Sequence, residues 1–132
     1  MNALDTNVLV RLITDDDPAM RDRAVQLIEN ARKRGEPLIV PIPVILETIW
    51  VLSSRYGFAR KHILDAIDQL LLVRGLRFEA QDRIQDFVRM GRTTSADLAD
   101  ILIGLCARDL GCETTFTFDK KAAKSPLFRR LS

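Results

Sequence analysis

Apolar residues follow two alternating rhythms along this chain, short β-prone runs and longer stretches at helical spacing. Residues 2–5 read as a short strand, after which Val8, Leu9, Leu12 and Ile13 recur at helical intervals until Thr14-Asp15-Asp16-Asp17-Pro18 breaks the pattern. A helix restarts at Pro18 and runs to about residue 34, with Ala24, Leu27, Ile28 and Ala31 on one face and Gly35 beyond its end. The basic Arg32-Lys33-Arg34 suits the negative end of that helix dipole. Leu38-Ile39-Val40, held between Pro37 and Pro41, has the continuous apolar character of a buried parallel strand. Pro43 opens the next helix, which gathers Val44, Ile45, Ile49, Val51 and Leu52 around Glu47 and lasts to Tyr56-Gly57. Another helix spans 58–73, with Ile63, Ala66, Ile67, Leu70 and Leu71 at helical intervals.

In the remainder, Leu76-Arg77-Phe78 reads as a strand and 81–90 as a short amphipathic helix carrying Ile84, Phe87 and Val88. Gly91-Arg92-Thr93-Thr94-Ser95 reads as a loop, with Ser95 as N-cap of a helix over 96–110 that Gly111 stops. Thr114-Thr115-Phe116-Thr117-Phe118 is the next strand, and a last one falls near 127–130. Strand and helix alternate with no linker, repeat or low-complexity segment. The expectation is a single three-layer α/β/α domain over residues 1–132, built on a central, mainly parallel sheet of four to five strands. Ligands in such sheets bind beyond the carboxyl ends of the strands, where Asp5 and Asp119 fall.

Composition supports a folded core: 132 residues, 47% hydrophobic and 29% charged, enough to bury roughly two-thirds of the unfolded surface. The net charge of +2 does not by itself mark a nucleic-acid binder, although Lys120, Lys121, Lys124, Arg129 and Arg130 make the C-terminal stretch basic. Cys106 and Cys112 form neither a zinc pattern nor a disulfide framework. Met1 leads straight into the first strand without a basic leader or a membrane-spanning run, so a cytoplasmic protein with no membrane association is expected.

The candidate chemistry is acidic. Asp5, Glu47, Asp100 and Asp119 each sit at a strand end or near a helix start, far apart in sequence yet able to converge. Asp97 and Asp100, three residues apart, project from one face of their helix, where acids also complement the helix dipole. Asp100 and Glu47 lie among apolar neighbours, and a partly buried carboxylate is costly unless neutralised. Arg11 or Arg108 would serve in a purely structural account, and a divalent cation in a functional one. Oxygen-only ligands favour Mg²⁺ or Mn²⁺ over zinc. His62, the only histidine, lies far from these motifs, so triad chemistry is disfavoured. A metal held by carboxylates suits phosphodiester hydrolysis, with Thr6, Asn7, Ser95 and Thr117 placed to orient water or the acids.

Leu4-Asp5-Thr6-Asn7-Val8-Leu9, Glu47 within Ile45-Leu46-Glu47-Thr48-Ile49-Trp50-Val51-Leu52, Asp97-Leu98-Ala99-Asp100-Ile101-Leu102-Ile103 and Thr117-Phe118-Asp119 occur in order over essentially the whole chain. In this combination the chain resembles a PIN-domain protein of the VapC toxin type. The resemblance implies a PIN-like fold and a Mg²⁺- or Mn²⁺-dependent endoribonuclease. By motif position it implies Asp5, Glu47 and Asp100 as core metal-binding acids, Asp119 completing the quartet and Asp97 as an additional acid. It further implies an RNA substrate, a cognate VapB-type antitoxin and a homodimer. Trp50 and Phe58 read first as core-packing aromatics, with a face for the antitoxin or the dimer partner as the alternative. Arg89, Arg92, Lys120, Lys121 and Lys124 flank the motif-bearing segments and are the candidate phosphate contacts.

The rival readings are a binding-only module that uses the acids without cleavage, an aspartate-nucleophile phosphatase and a phosphate-receiver domain. The phosphatase wants a second acid where this chain has Asn7, and the receiver wants paired acids that here arrive only at Asp15-Asp16-Asp17, after a helix.

Overall fold

A computed structural model describes residues 1–132. Its elements are α1 (Thr6–Ile13), α2 (Pro18–Arg34), β1 (Leu38–Val40), α3 (Ile42–Ser54), α4 (Arg60–Leu71), β2 (Leu76–Phe78), α5 (Gln81–Thr93), α6 (Leu98–Asp109), β3 (Thr115–Thr117), a 3-10 turn (Ala122–Lys124) and β4 (Phe128–Arg130). The chain divides into two units, Met1–Gln81 and Asp82–Ser132.

In the first unit β1 and β2 pair in parallel from Leu38↔Leu76 to Val40↔Phe78. The strand expected at residues 2–5 shrinks to a single parallel bridge, Ala3↔Ile39, held by the Leu4 N–H on the Ile39 carbonyl and the Ile39 N–H on the Asn2 carbonyl, both 2.9 Å. Asp5 cuts it short by starting a helix: its carboxylate accepts from the Thr6 N–H at 2.7 Å and its carbonyl accepts from Val8 and Leu9. α1 packs on α2 and α3, and α3 on α4, around the buried Leu9, Val10, Ile45, Leu52 and Ile67. Asp17 caps α2 through the Met20 N–H at 3.0 Å, and Gly35 ends it at φ +67°, a left-handed conformation that costs glycine little.

A polar cluster fixes the turn between α1 and α2. The Asp16 carboxylate accepts from the Tyr56 hydroxyl at 2.7 Å, the Thr14 hydroxyl at 2.9 Å and the Arg11 guanidinium at 2.8 Å. These three donors, Tyr56 foremost, hold the Asp16 carboxyl at about 2. A carboxyl depressed in the folded state adds stability above its unfolded value, and that stability is lost as the pH falls through the folded one. Asp16→Asn is therefore expected to lower the melting temperature at pH 6 and to make little difference near pH 2. Thermal unfolding across that range checks this, and parallel curves for the two proteins would count against it.

In the second unit β3 and β4 pair in parallel, Thr115↔Phe128 through Thr117↔Arg130. Every strand pairing in the protein is parallel, as expected from the alternation. α5 runs three residues into the segment expected to be a loop. Gly91 is buried there, and the Thr93 and Thr94 hydroxyls donate to the carbonyls of Arg89 and Met90 four residues back, at 3.0 and 2.7 Å. α6 begins at Leu98 rather than Ala96 because Asp97, not Ser95, is its cap, accepting from the Ala99 N–H at 3.0 Å. Ile84, Phe87, Ile101, Leu102 and Leu105 fill the core of this unit. Arg83 pairs with Asp86 and with Asp109, and Arg108 reaches Asp86 at 3.3 Å, tying α5 to the end of α6. No helix is long and apolar enough to cross a membrane.

Candidate active site

Asp5 stands exposed at the N-terminus of α1, one carboxylate oxygen on the Thr6 N–H. Thr6 itself is buried and its hydroxyl has no hydrogen-bond partner, so it supports Asp5 through its backbone N–H rather than its side chain. Asn7 is exposed and lines a cavity of about 400 Å³ with Arg11, Arg23 and Leu27. Glu47 lies on α3, which packs against α1. It is exposed, contrary to the expectation of partial burial: Ile45, Thr48 and Ile49 take the inner face of the helix and turn Glu47 outward. Arg11, one candidate structural partner for these acids, is engaged by Asp16 instead.

The second unit brings Asp97, Asp100 and Asp119 within electrostatic reach of one another. Asp97 caps α6, and Asp100 sits half-buried in its first turn. Burial first, then the charges of Asp97 and Asp119, push the Asp100 carboxyl above its ordinary value, with Lys121 pulling the other way. No ion pair engages Asp100, and Arg108, the other candidate structural partner, is turned to Asp86. Asp119 follows β3. One of its carboxylate oxygens accepts from the Lys121 and Ala122 N–H groups at 2.7 and 3.1 Å, and its own N–H donates to the Thr117 hydroxyl at 3.0 Å. Thr117 thus fixes the backbone that presents Asp119.

Within neither unit do three acidic, histidine or cysteine side chains already stand as a set spaced to hold an ion. The chemistry of the donors nevertheless fits a hard divalent cation: in the second unit carboxylate oxygens crowd negative charge around Asp100. His62 is exposed at the start of α4.

Of the cationic candidates, Lys120, Lys121 and Lys124 are exposed, as are Arg89 and Arg92 near the end of α5, with Arg89 on Asp86 at 3.0 Å. Trp50 is 60% exposed with the Arg55 guanidinium 5.9 Å from its ring centre, which overturns core packing for that residue. Phe58 is half-buried and meets Tyr56 edge-on at 6.3 Å. Phe116 and Phe118, which periodicity identified only as strand residues, are 58% and 76% exposed. The Thr-Phe-Thr-Phe alternation was the available signal, but it does not say which face lies open.

The family model of the PIN domain matches residues 3–126. A VapC ribonuclease of Aquifex aeolicus (strain VF5) is 23% identical over 124 residues, covering 94% of this chain and 91% of that protein. Both alignments take in segments from both units. The alternating helices and parallel strands agree with the three-layer α/β/α fold of that family, and the chain belongs to the PIN domain family.

Proposed function

We propose that this protein is a Mg²⁺- or Mn²⁺-dependent endoribonuclease, the toxin of a VapBC-type toxin–antitoxin pair, acting in the cytoplasm as one PIN domain over residues 1–132. The observation that carries the reading is Asp100: a half-buried carboxylate in a PIN-family chain, crowded by Asp97 and Asp119 and left without an ion pair. Structural acids are paired or solvated, and one held in this state fits the task of binding a cation.

Asp5, Glu47, Asp100 and Asp119 would hold the ion together, and Asp97 adds charge while capping α6. When bound, a divalent ion of this class lowers the pKa of water and offsets charge on phosphoryl oxygens. The protein's own residues supply position. The Thr6 N–H steadies the Asp5 carboxylate, Thr117 and the following turn steady Asp119, and Asn7, two residues after Asp5, stands exposed to orient water. Arg89, Arg92, Lys120, Lys121 and Lys124 provide cations for the phosphates of RNA. The exposed Trp50 on α3 supports a partner face, for a VapB-type antitoxin or the second subunit of a homodimer.

Asp5→Asn is the cleanest test, because asparagine caps a helix as well as aspartate and the fold should survive. Cleavage of a structured RNA pool by the wild type with Mn²⁺, ended by chelator and lost in Asp5→Asn, is the expected result. Cleavage that persists in chelator would overturn the metal-dependent reading. A wild type that binds Mn²⁺ but cuts nothing would favour a binding-only PIN module.

A further inference from the structure

The β3–β4 ladder has two unlike faces. Thr115 and Phe128 are register partners, and Phe128 approaches α6 at Gly104, so the helix closes that side. The opposite side carries Phe116 and its register partner Arg129, and Phe118 follows immediately after the end of β3. Phe116 and Phe118 are 58% and 76% exposed, and Arg129 is exposed as well. Phenylalanine normally lowers the free energy of folding by leaving water, so two rings left open on one short segment are not there for the core. Phe118 immediately precedes Asp119, and the exposed Lys120 and Lys121 come next.

We propose that Phe116, Phe118 and Arg129 form a platform on which unpaired RNA bases stack, setting the strand beside Asp119 for cleavage. The proposal rests on the nuclease reading above and adds how that site chooses its substrate. Aromatic faces accept any unstacked base, and neighbouring cations hold the phosphates between bases, which is how single strands are bound without sequence readout. A duplex keeps its bases stacked inside and offers the rings nothing. Charge complementarity favours RNA over a second copy of this chain: a twofold contact lays the same surface patch of two copies together, bringing the cations Arg129, Lys120 and Lys121 of one copy up to those of the other, whereas a polyanion neutralises them.

The test is fluorescence anisotropy in chelator, where nothing is cut, with a short unstructured fluorescein-labelled RNA and the same strand annealed to its complement. The double variant F116L/F118L keeps apolar bulk and removes both π faces. It is expected to weaken single-strand binding at least tenfold, leaving duplex binding and the salt dependence unchanged. F116W/F118W should bind as the wild type does. R129Q should lower the slope of log affinity against log salt by about 0.7, one phosphate contact on a single strand. Light scattering on the same samples reports oligomeric state. Equal single-strand affinity for F116L/F118L and wild type would remove the platform and leave the nuclease reading standing. A leucine variant that falls from dimer to monomer would make the rings a subunit contact and overturn the proposal. A wild type that binds neither RNA would take down the platform and the nuclease reading together.

Discussion

Asp100→Asn is expected to reduce RNA cleavage on the order of a thousandfold while raising the melting temperature of the metal-free protein. The two effects share one cause. Asp100 is half-buried beside Asp97 and Asp119, and its carboxyl lies above the ordinary value because burial and like charge both disfavour ionisation. For a carboxyl raised in the folded state, ionisation favours the unfolded chain: its stabilising share is present below the unfolded value and is lost as the pH rises through the folded one. At neutral pH the wild type carries that cost. The amide removes the charge, keeps the shape and leaves the Asp97 cap in place. It also removes a proposed ligand, so any stabilisation that saturating Mn²⁺ gives the wild type through linkage should shrink or vanish in the variant. Single-turnover cleavage and thermal unfolding, in chelator and in Mn²⁺, read both effects. A variant less stable than wild type in chelator would mean that the carboxylate is held by a structural partner. A variant of normal activity would remove Asp100 from the site.

The parts of the fold legible in the sequence are those with strong local punctuation. α2 lies where Asp17-Pro18 and Gly35 place its ends, and β1 where Pro37 and Pro41 bracket an apolar run. Errors fall where two local signals compete and packing decides. Ser95 and Asp97 are both good caps, and the carboxylate that reaches the Ala99 N–H wins. Gly91 reads as a breaker, yet burial keeps it helical, a tertiary override of propensity. Apolar character predicts a strand at residues 2–5, but Asp5 is both the acid of interest and a helix cap, and the second role ends the strand.

The candidate site shows the same division. Its acids were visible because a carboxylate in an apolar stretch is conspicuous in a linear sequence, and Asp100 is indeed half-buried. Glu47 had the same apolar neighbours and is exposed. Helical periodicity alone decides between those outcomes, and at residue 47 it points outward. The Thr117 hydroxyl is in contact with the Asp119 backbone rather than with the carboxylate. The open aromatics Phe116, in β3, and Phe118, just past it, are not legible in the chain, because alternation gives two faces without saying which one a helix will cover.

Gly104→Val is expected to destabilise the protein by about 2–3 kcal/mol and to weaken Mn²⁺ binding at least tenfold, although residue 104 is no candidate ligand. A Cβ at this position would lie 2.9 Å from the Leu127 Cβ and 3.0 Å from both the Leu127 Cδ1 and the Phe128 Cε2. The first of these atoms is fixed to the backbone, so relief requires the β4 segment to move. Gly104 follows Asp100 by four residues, which places both on one face of α6. β4 is paired with β3, and β3 leads into Asp119. A wedge between α6 and β4 therefore displaces the ladder that presents Asp119 from the helix that presents Asp100. Gly104→Ala separates the components, since alanine regains about 1 kcal/mol of helix propensity while adding only the first carbon of the wedge. Its net loss of stability should be well below that of valine. Denaturant unfolding gives the stability, and the thermal shift with Mn²⁺ gives the metal affinity. If valine lowered stability without touching Mn²⁺ affinity, α6 and the ladder would be coupled in folding alone. If affinity fell as expected, Gly104 would be the residue whose lack of a side chain lets the acids of α6 and of the turn after β3 share one ion.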